Sequence, residues 1–107
     1  MIISYFIQND KVLAEKDDYL AFKSIHESNF LKEHYKNLKG IDLQTNIFFL
    51  EEELSPFIND DSVCGVLKKL DYKGLPIVVI DNNIEKIGSI LSTEELSSLL
   101  DLGISFQ

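Results

Sequence analysis

The order of apolar and polar positions divides the chain into a short series of elements. Residues Ile2 to Ile7 are β-branched and aromatic, which predicts a first strand. From Gln8 to about Lys23 the apolar positions Val12, Leu13, Tyr19, Leu20 and Phe22 hold no helical period. This stretch reads as a loop with a helical turn, or as an early start to the next helix. The pattern sharpens at Ser28. Leu31, Tyr35 and Leu38 recur at helical spacing, Lys32, Lys36 and Lys39 form a parallel basic stripe, and Gly40 is the stop. Ile41 to Ile47 alternates apolar and polar residues, as a strand with one covered face does, and Phe48, Phe49 and Leu50 extend it.

Pro56 falls in a linking turn. Asn59 or Asp60 then caps a helix in which Val63, Val66, Leu67 and Leu70 form one buried stripe at i, i+3, i+4 and i+7. Gly65 inside that helix costs about 1 kcal/mol against alanine, so close packing is expected there. Leu75 to Ile80 is apolar without a break, which fits a central strand covered on both faces. Asp81, Asn82 and Asn83 suit a tight hairpin turn. Ile84 to Ile87 is the return strand, and Gly88 ends it. In the last helix Ser92 is the N-cap and Glu95 completes a capping box, with Leu91 and Leu96 in the positions of a hydrophobic staple. Leu96, Leu99 and Leu100 face the core, and Gly103 ends the helix.

The order is β-α-β-α-β-β-α, an α/β arrangement with a mixed four-stranded sheet and helices on both faces. Parallel crossovers come first and an antiparallel hairpin last. This order resembles a minimal thioredoxin-like domain, with residues 1–107 as a single domain. In that fold the proline before the third strand is cis, which implies a cis Leu75–Pro76 bond. Such a bond costs only about 0.5–1 kcal/mol.

Composition narrows the chemistry. The net charge is -8, from 10 basic and 18 acidic residues. Such a chain is repelled on average by nucleic acid and by anionic membranes. No apolar stretch is long enough to cross a membrane. Residues Met1 to Ile7 read as a strand and not as a signal peptide. The single cysteine, Cys64, cannot form an internal disulfide, so a cytoplasmic location is expected. Glu51 to Glu53 and the pair Asp60 and Asp61 read as helix starts, where carboxylates favour the helix dipole, and not as a metal loop.

Candidate reactive groups are few. Cys64 lies beside the Val63, Val66 and Leu67 stripe and reads as a structural cysteine, with a weak candidacy as a sulfur ligand across a dimer. His26 and His34 are expected at the surface, about 12 Å apart if they share one helix, too far to hold one metal. No Ser-His-Asp order, phosphate-binding glycine loop or catalytic residue emerges. Asp81 reads as a turn residue. The Lys32, Lys36 and Lys39 stripe is the candidate contact for nucleic acid or another anionic partner.

A run of these residues also resembles a known family. Phe57, Val63 and Leu67, with Asp60 among them, are followed by Leu75-Pro76, Ile80-Asp81, Gly88 and Ser92-Thr93-Glu94-Glu95-Leu96. That order and spacing is similar to the arsenical-resistance operon trans-acting repressor, also described as an arsenic metallochaperone, over roughly residues 30–102. The resemblance implies a thioredoxin-like fold, a repressor that binds operator DNA as a homodimer, and a transport ATPase or other protein as partner. It also implies a trivalent metalloid held by three cysteines in the segment after the first strand. Residues 8–23 here contain no cysteine, and trivalent arsenic demands soft thiolates. The expectation is a non-enzymatic regulatory or protein-interaction module without the metalloid thiols and without a cofactor. The alternatives are a working DNA-binding repressor and a thiol-dependent reductase-like protein. The lack of a Cys-x-x-Cys pair stands against the reductase, because exchange needs a thiolate and a resolving thiol.

Overall fold

The computed structural model describes residues 1–8, 16–27 and 29–101. The strands are β1 (Ile2–Ile7), β2 (Gln44–Phe49), β3 (Ile77–Ile80) and β4 (Asn83–Ile87). The helices are α1 (Lys16–Glu27), α2 (Asn29–Lys39), α3 (Ser55–Asn59), α4 (Asp61–Leu70) and α5 (Thr93–Leu100), with a 3-10 turn at Asp71–Gly74. One mixed sheet runs in the order β2-β1-β3-β4. β1 and β2 are parallel, and β3 is antiparallel to both β1 and β4. Only the first crossover therefore joins parallel strands. The second returns the chain antiparallel.

Each crossover holds two helices where the sequence pattern suggests one. Between α3 and α4 the break is Asp60, whose φ of -89° and ψ of 107° are extended. Its carboxylate accepts the Val63 N–H at 3.1 Å, which caps α4. Pro56 lies in α3, near its N-terminus, where its missing N–H costs nothing. In the first crossover α1 is a helix in its own right, with Ala21, Phe22 and Ile25 buried at i, i+1 and i+4. Val12 and Leu13 lie outside the described residues.

The sheet separates two apolar clusters. Ile3, Tyr5 and Ile7 of β1 point to one face, where Ala21, Phe22 and Ile25 of α1, Tyr35 of α2, and Leu96 and Leu100 of α5 cover them. Phe6 points to the other face, against Phe57 of α3 and Val63 of α4. This is the two-residue alternation of a strand used on both sides. Complete burial of a side chain such as Ile3 or Phe57 contributes about 1.5–3 kcal/mol. β3 is buried at all of its positions, as a central strand requires.

Turn chemistry closes the hairpin. Asp81 and Asn82 have φ of 47° and 72°, and Ile80 pairs directly with Asn83. The two-residue loop with both positions left-handed is the I′ geometry that matches strand twist. β4 therefore starts one residue earlier than the sequence pattern suggests. Ser92 and Glu95 form the expected capping box, and Leu91 and Leu96 are buried together beside it. Helix α5 stops at Leu100, with Asp101 left-handed at φ 54° as the C-cap, ahead of the expected stop. Gly103 lies outside the described residues.

Three packing expectations change. Leu38 and Leu70, in the last turns of α2 and α4, are exposed instead of completing their stripes. A Cβ on Gly65 would meet nothing within 4 Å, so no neighbour packs closely there. The close approach belongs to Gly74, where a Cβ would sit 2.8 Å from Val66 Cγ1.

Candidate functional site

The sheet brings the ends of two strands together. Phe6 of β1 pairs with Ile77 of β3, so the residues just beyond them, Ile7 and Pro76, share one end of the sheet. The Leu75–Pro76 bond is cis, as its position implies. Leu75 and Pro76 are both buried. Gly88 fixes them from the side: its N–H points at the Pro76 carbonyl, 2.8 Å away, and at the Gly74 carbonyl, 3.0 Å away. Its φ of +91° suits glycine alone among common residues. This end of the sheet is built from apolar side chains and backbone. Among Ile7, Leu75, Pro76 and Gly88 there is no thiol and no titratable side chain.

Cys64 lies elsewhere. It sits half-buried on α4, on the Phe57 and Val63 side of the sheet. The lysine stripe belongs to α2, whose Tyr35 packs on the opposite side. The sheet thus stands between Cys64 and the stripe, and no site combines them. Two of the three lysines already have acidic partners. Lys36 pairs with Asp42 at 3.0 Å and Lys39 with Asp101 at 2.6 Å. The hydrogen bond from Lys39, followed by its charge, holds the Asp101 carboxyl below the usual aspartate range. Exposed pairs of this kind add little to stability, but they do lower the positive potential of the stripe.

The most perturbed titratable groups are Tyr5, which the sequence does not single out, and His26. Tyr5, Phe22 and His26 form a triangle of rings with centroids 4.8, 5.0 and 4.9 Å apart, all edge to face. Burial, followed by the Glu95 charge, pushes the Tyr5 phenol above its ordinary value. Burial, followed by the Lys32 charge, lowers His26 to about 4. Both groups are neutral near pH 7. Tyr5 Oη and His26 Nε2 are buried without a hydrogen-bond partner. His26 is therefore a core-facing residue of α1 and not the expected surface histidine. Its four-residue spacing from Phe22 is the signal that places it there. His34, on the separate helix α2, does lie at the surface, with its ring parallel to Phe30 at 6.0 Å.

Asp81 is a structural clamp. Its carboxylate accepts the Ile2 N–H at 2.9 Å, and its own N–H donates to the Ile2 carbonyl at 3.0 Å. The hairpin turn is thereby tied to the start of β1. Among the described residues no group of three or more His, Cys, Asp or Glu side chains is placed to hold a metal ion. Among them also no helix is long and apolar enough to cross a membrane.

No protein-family model matches the sequence, and no curated protein matches it. The fold is similar to the crystal structure of an arsenical resistance operon trans-acting repressor from Bacteroides vulgatus ATCC 8482. The TM-score is 0.66 at 17% identity, over 96% of this chain and 94% of the other. The near-complete overlap in both directions establishes the thioredoxin-like α/β architecture.

Proposed function

We propose that this protein is a non-enzymatic regulatory module of the arsenical-resistance repressor type that works without metalloid thiols, through protein contacts in the cytoplasm. The observation that carries this reading is the pairing of a whole-chain structural likeness to such a repressor with a single cysteine on α4. The motif order from Phe57 to Leu96 supports the same family. A trivalent metalloid cargo needs several soft thiolates converging on one point, and the chain has one sulfur nucleophile to offer.

Operator DNA is the less favoured partner. The net charge of -8 opposes it, and Asp42 and Asp101 offset Lys36 and Lys39. A transport ATPase or another protein fits the acidic surface better. Thiol-dependent reduction is disfavoured because Cys64 lacks a resolving thiol.

Arsenite titration and a disulfide-reduction assay test this reading together. The expected result is no heat and no ultraviolet thiolate band with arsenite, and no reductase turnover. Stoichiometric arsenite binding, or turnover that disappears in Cys64→Ser, would overturn it.

A further inference from the structure

We infer that the groove between β4 and α5 is a docking site for a basic segment of a partner protein, one in which arginine or lysine alternates with apolar residues. The inference names the partner's chemistry for the protein-contact reading above and rests on that reading.

The groove has a volume of about 490 Å³. It is lined by Glu85 of β4, by Leu91 ahead of α5, and by Glu94, Glu95, Ser98 and Leu99. That size falls within the roughly 300–1,000 Å³ of ligand pockets, room for a few side chains and not for a folded domain. The apolar part of its lining is Leu91, which is buried, and Leu99, which is half-buried against the core on that face. Glu85, Glu94, Glu95 and Ser98 are exposed.

A bulge in β4 shapes this site. Val78 pairs with Lys86 and Val79 with Ile84, so Glu85 is the extra residue between them. Val79 and Ile84 belong to the α3 and α4 side of the sheet, whereas Val78 belongs to the α1 and α5 side. In a regular strand Glu85 would face α5 and Lys86 would face away. The bulge turns both residues toward α5. Lys86 meets Glu95, and Glu85 reaches the groove.

The occupant follows from charge complementarity. Lys86 is already paired with Glu95. Among the described residues neither Glu85 nor Glu94 has an ion-pair partner. The carboxylates do not converge as metal ligands do, since among the described residues no group of three is placed to hold a metal ion. They stand on two elements, Glu85 on β4 and Glu94 on α5, with two leucines in the same groove. An arginine or lysine side chain suits that arrangement, because its apolar stem lies along a leucine while its head reaches a carboxylate. A neighbouring apolar residue covers the remaining leucine surface. The net charge of -8 draws such a segment in and repels acidic ones.

Nuclear magnetic resonance shift mapping of the full chain with a capped Arg-Leu-Arg-Leu-Arg peptide tests the proposal. Capped Arg-Ser-Arg-Ser-Arg keeps the charge without the apolar groups, and capped Glu-Leu-Glu-Leu-Glu reverses the charge. The expected result is saturable shifts at the amides of Leu91, Glu94, Ser98 and Leu99. The serine peptide should bind about tenfold more weakly, as should the first peptide to Glu94→Lys. The glutamate peptide should not bind. Glu85→Lys serves if Glu94→Lys does not fold. No saturable shifts, shifts spread to other acidic segments such as Glu51, Glu52 and Glu53, equal binding of either control peptide, or undiminished binding by both variants would overturn the docking site. Each of those outcomes leaves the arsenite and reductase results unaffected, so failure of the groove is distinguishable from failure of the regulatory reading.

Discussion

Asp18 of α1 holds Thr93 of α5: its Oδ1 accepts the Thr93 backbone N–H at 2.7 Å and the Thr93 hydroxyl at 3.1 Å. The residues are 75 apart in sequence. The first-turn donors of a helix have no partner within it. Here Ser92 satisfies the Glu95 N–H from within the capping motif, and Asp18 satisfies that of Thr93 from another helix. This contact ties the first crossover to the last element. Asp18→Ala should therefore lower stability by about 1–2 kcal/mol. Thr93→Val, which removes only the hydroxyl bond, should cost less. Urea unfolding of the two variants measures both, and an Asp18→Ala midpoint equal to that of the native protein would exclude the tie.

Gly74 and Gly65 predict opposite signs for the same substitution. A Cβ at Gly74 meets Val66 Cγ1 at 2.8 Å and Leu70 Cβ at 3.5 Å. Val66 is β-branched and has little rotamer freedom to yield. Gly74→Ala should destabilise by about 1–3 kcal/mol. Gly65 lies in open space inside α4, so Gly65→Ala should stabilise by up to about 1 kcal/mol. Thermal unfolding of both variants reads the signs directly.

His26 predicts the acid limb of the stability curve. Its folded-state value of about 4 lies below the ordinary 6.5. Between those values the unfolded chain binds the proton and the folded chain does not, so stability falls as pH falls from 6.5 toward 4. Above that window His26 is neutral in both states and contributes no slope. The groups that act on it are the Tyr5 and Phe22 rings and the Lys32 charge. His26→Phe should lose less stability than the native protein between pH 7 and pH 4.5, as read from urea midpoints. Parallel losses in the two proteins would show that His26 does not carry this slope.

Glu95 adds to the same limb by the opposite kind of group. The hydrogen bond from Lys86, then that from the Ser92 N–H, holds its carboxyl below the usual glutamate range. A carboxylate depressed in the folded state contributes stability above its unfolded value and loses it as pH falls through the folded one. Glu95→Gln keeps an acceptor for the Ser92 N–H but removes the charge. Its stability should depend less on pH below the glutamate range than that of the native protein, by a small amount because the group is largely exposed.

The elements that could be read from the sequence were those whose signals are local. The Ser92 and Glu95 capping box, the continuous apolar run of β3 and the Asp81-Asn82 turn each specify their structure within a few residues. The cis bond at Pro76 was expected from the likeness of that order of elements to a thioredoxin-like domain. Helix α1 was hidden because its buried residues, Ala21, Phe22 and Ile25, follow exposed Tyr19 and Leu20, which blur the period. The Asp18–Thr93 tie and the burial of His26 were hidden because both depend on contacts between elements far apart in sequence. The offset of Lys36 and Lys39 by Asp42 and Asp101 was hidden for the same reason.

The most direct test of the central claim is genome-wide transcript abundance in cells that carry the native gene, a deletion or Cys64→Ser. A regulatory role without thiol chemistry predicts that deletion changes the level and that Cys64→Ser restores it as fully as the native gene does. An unchanged level on deletion would contradict the regulatory role. A Cys64→Ser strain that behaves like the deletion would contradict the absence of thiol chemistry.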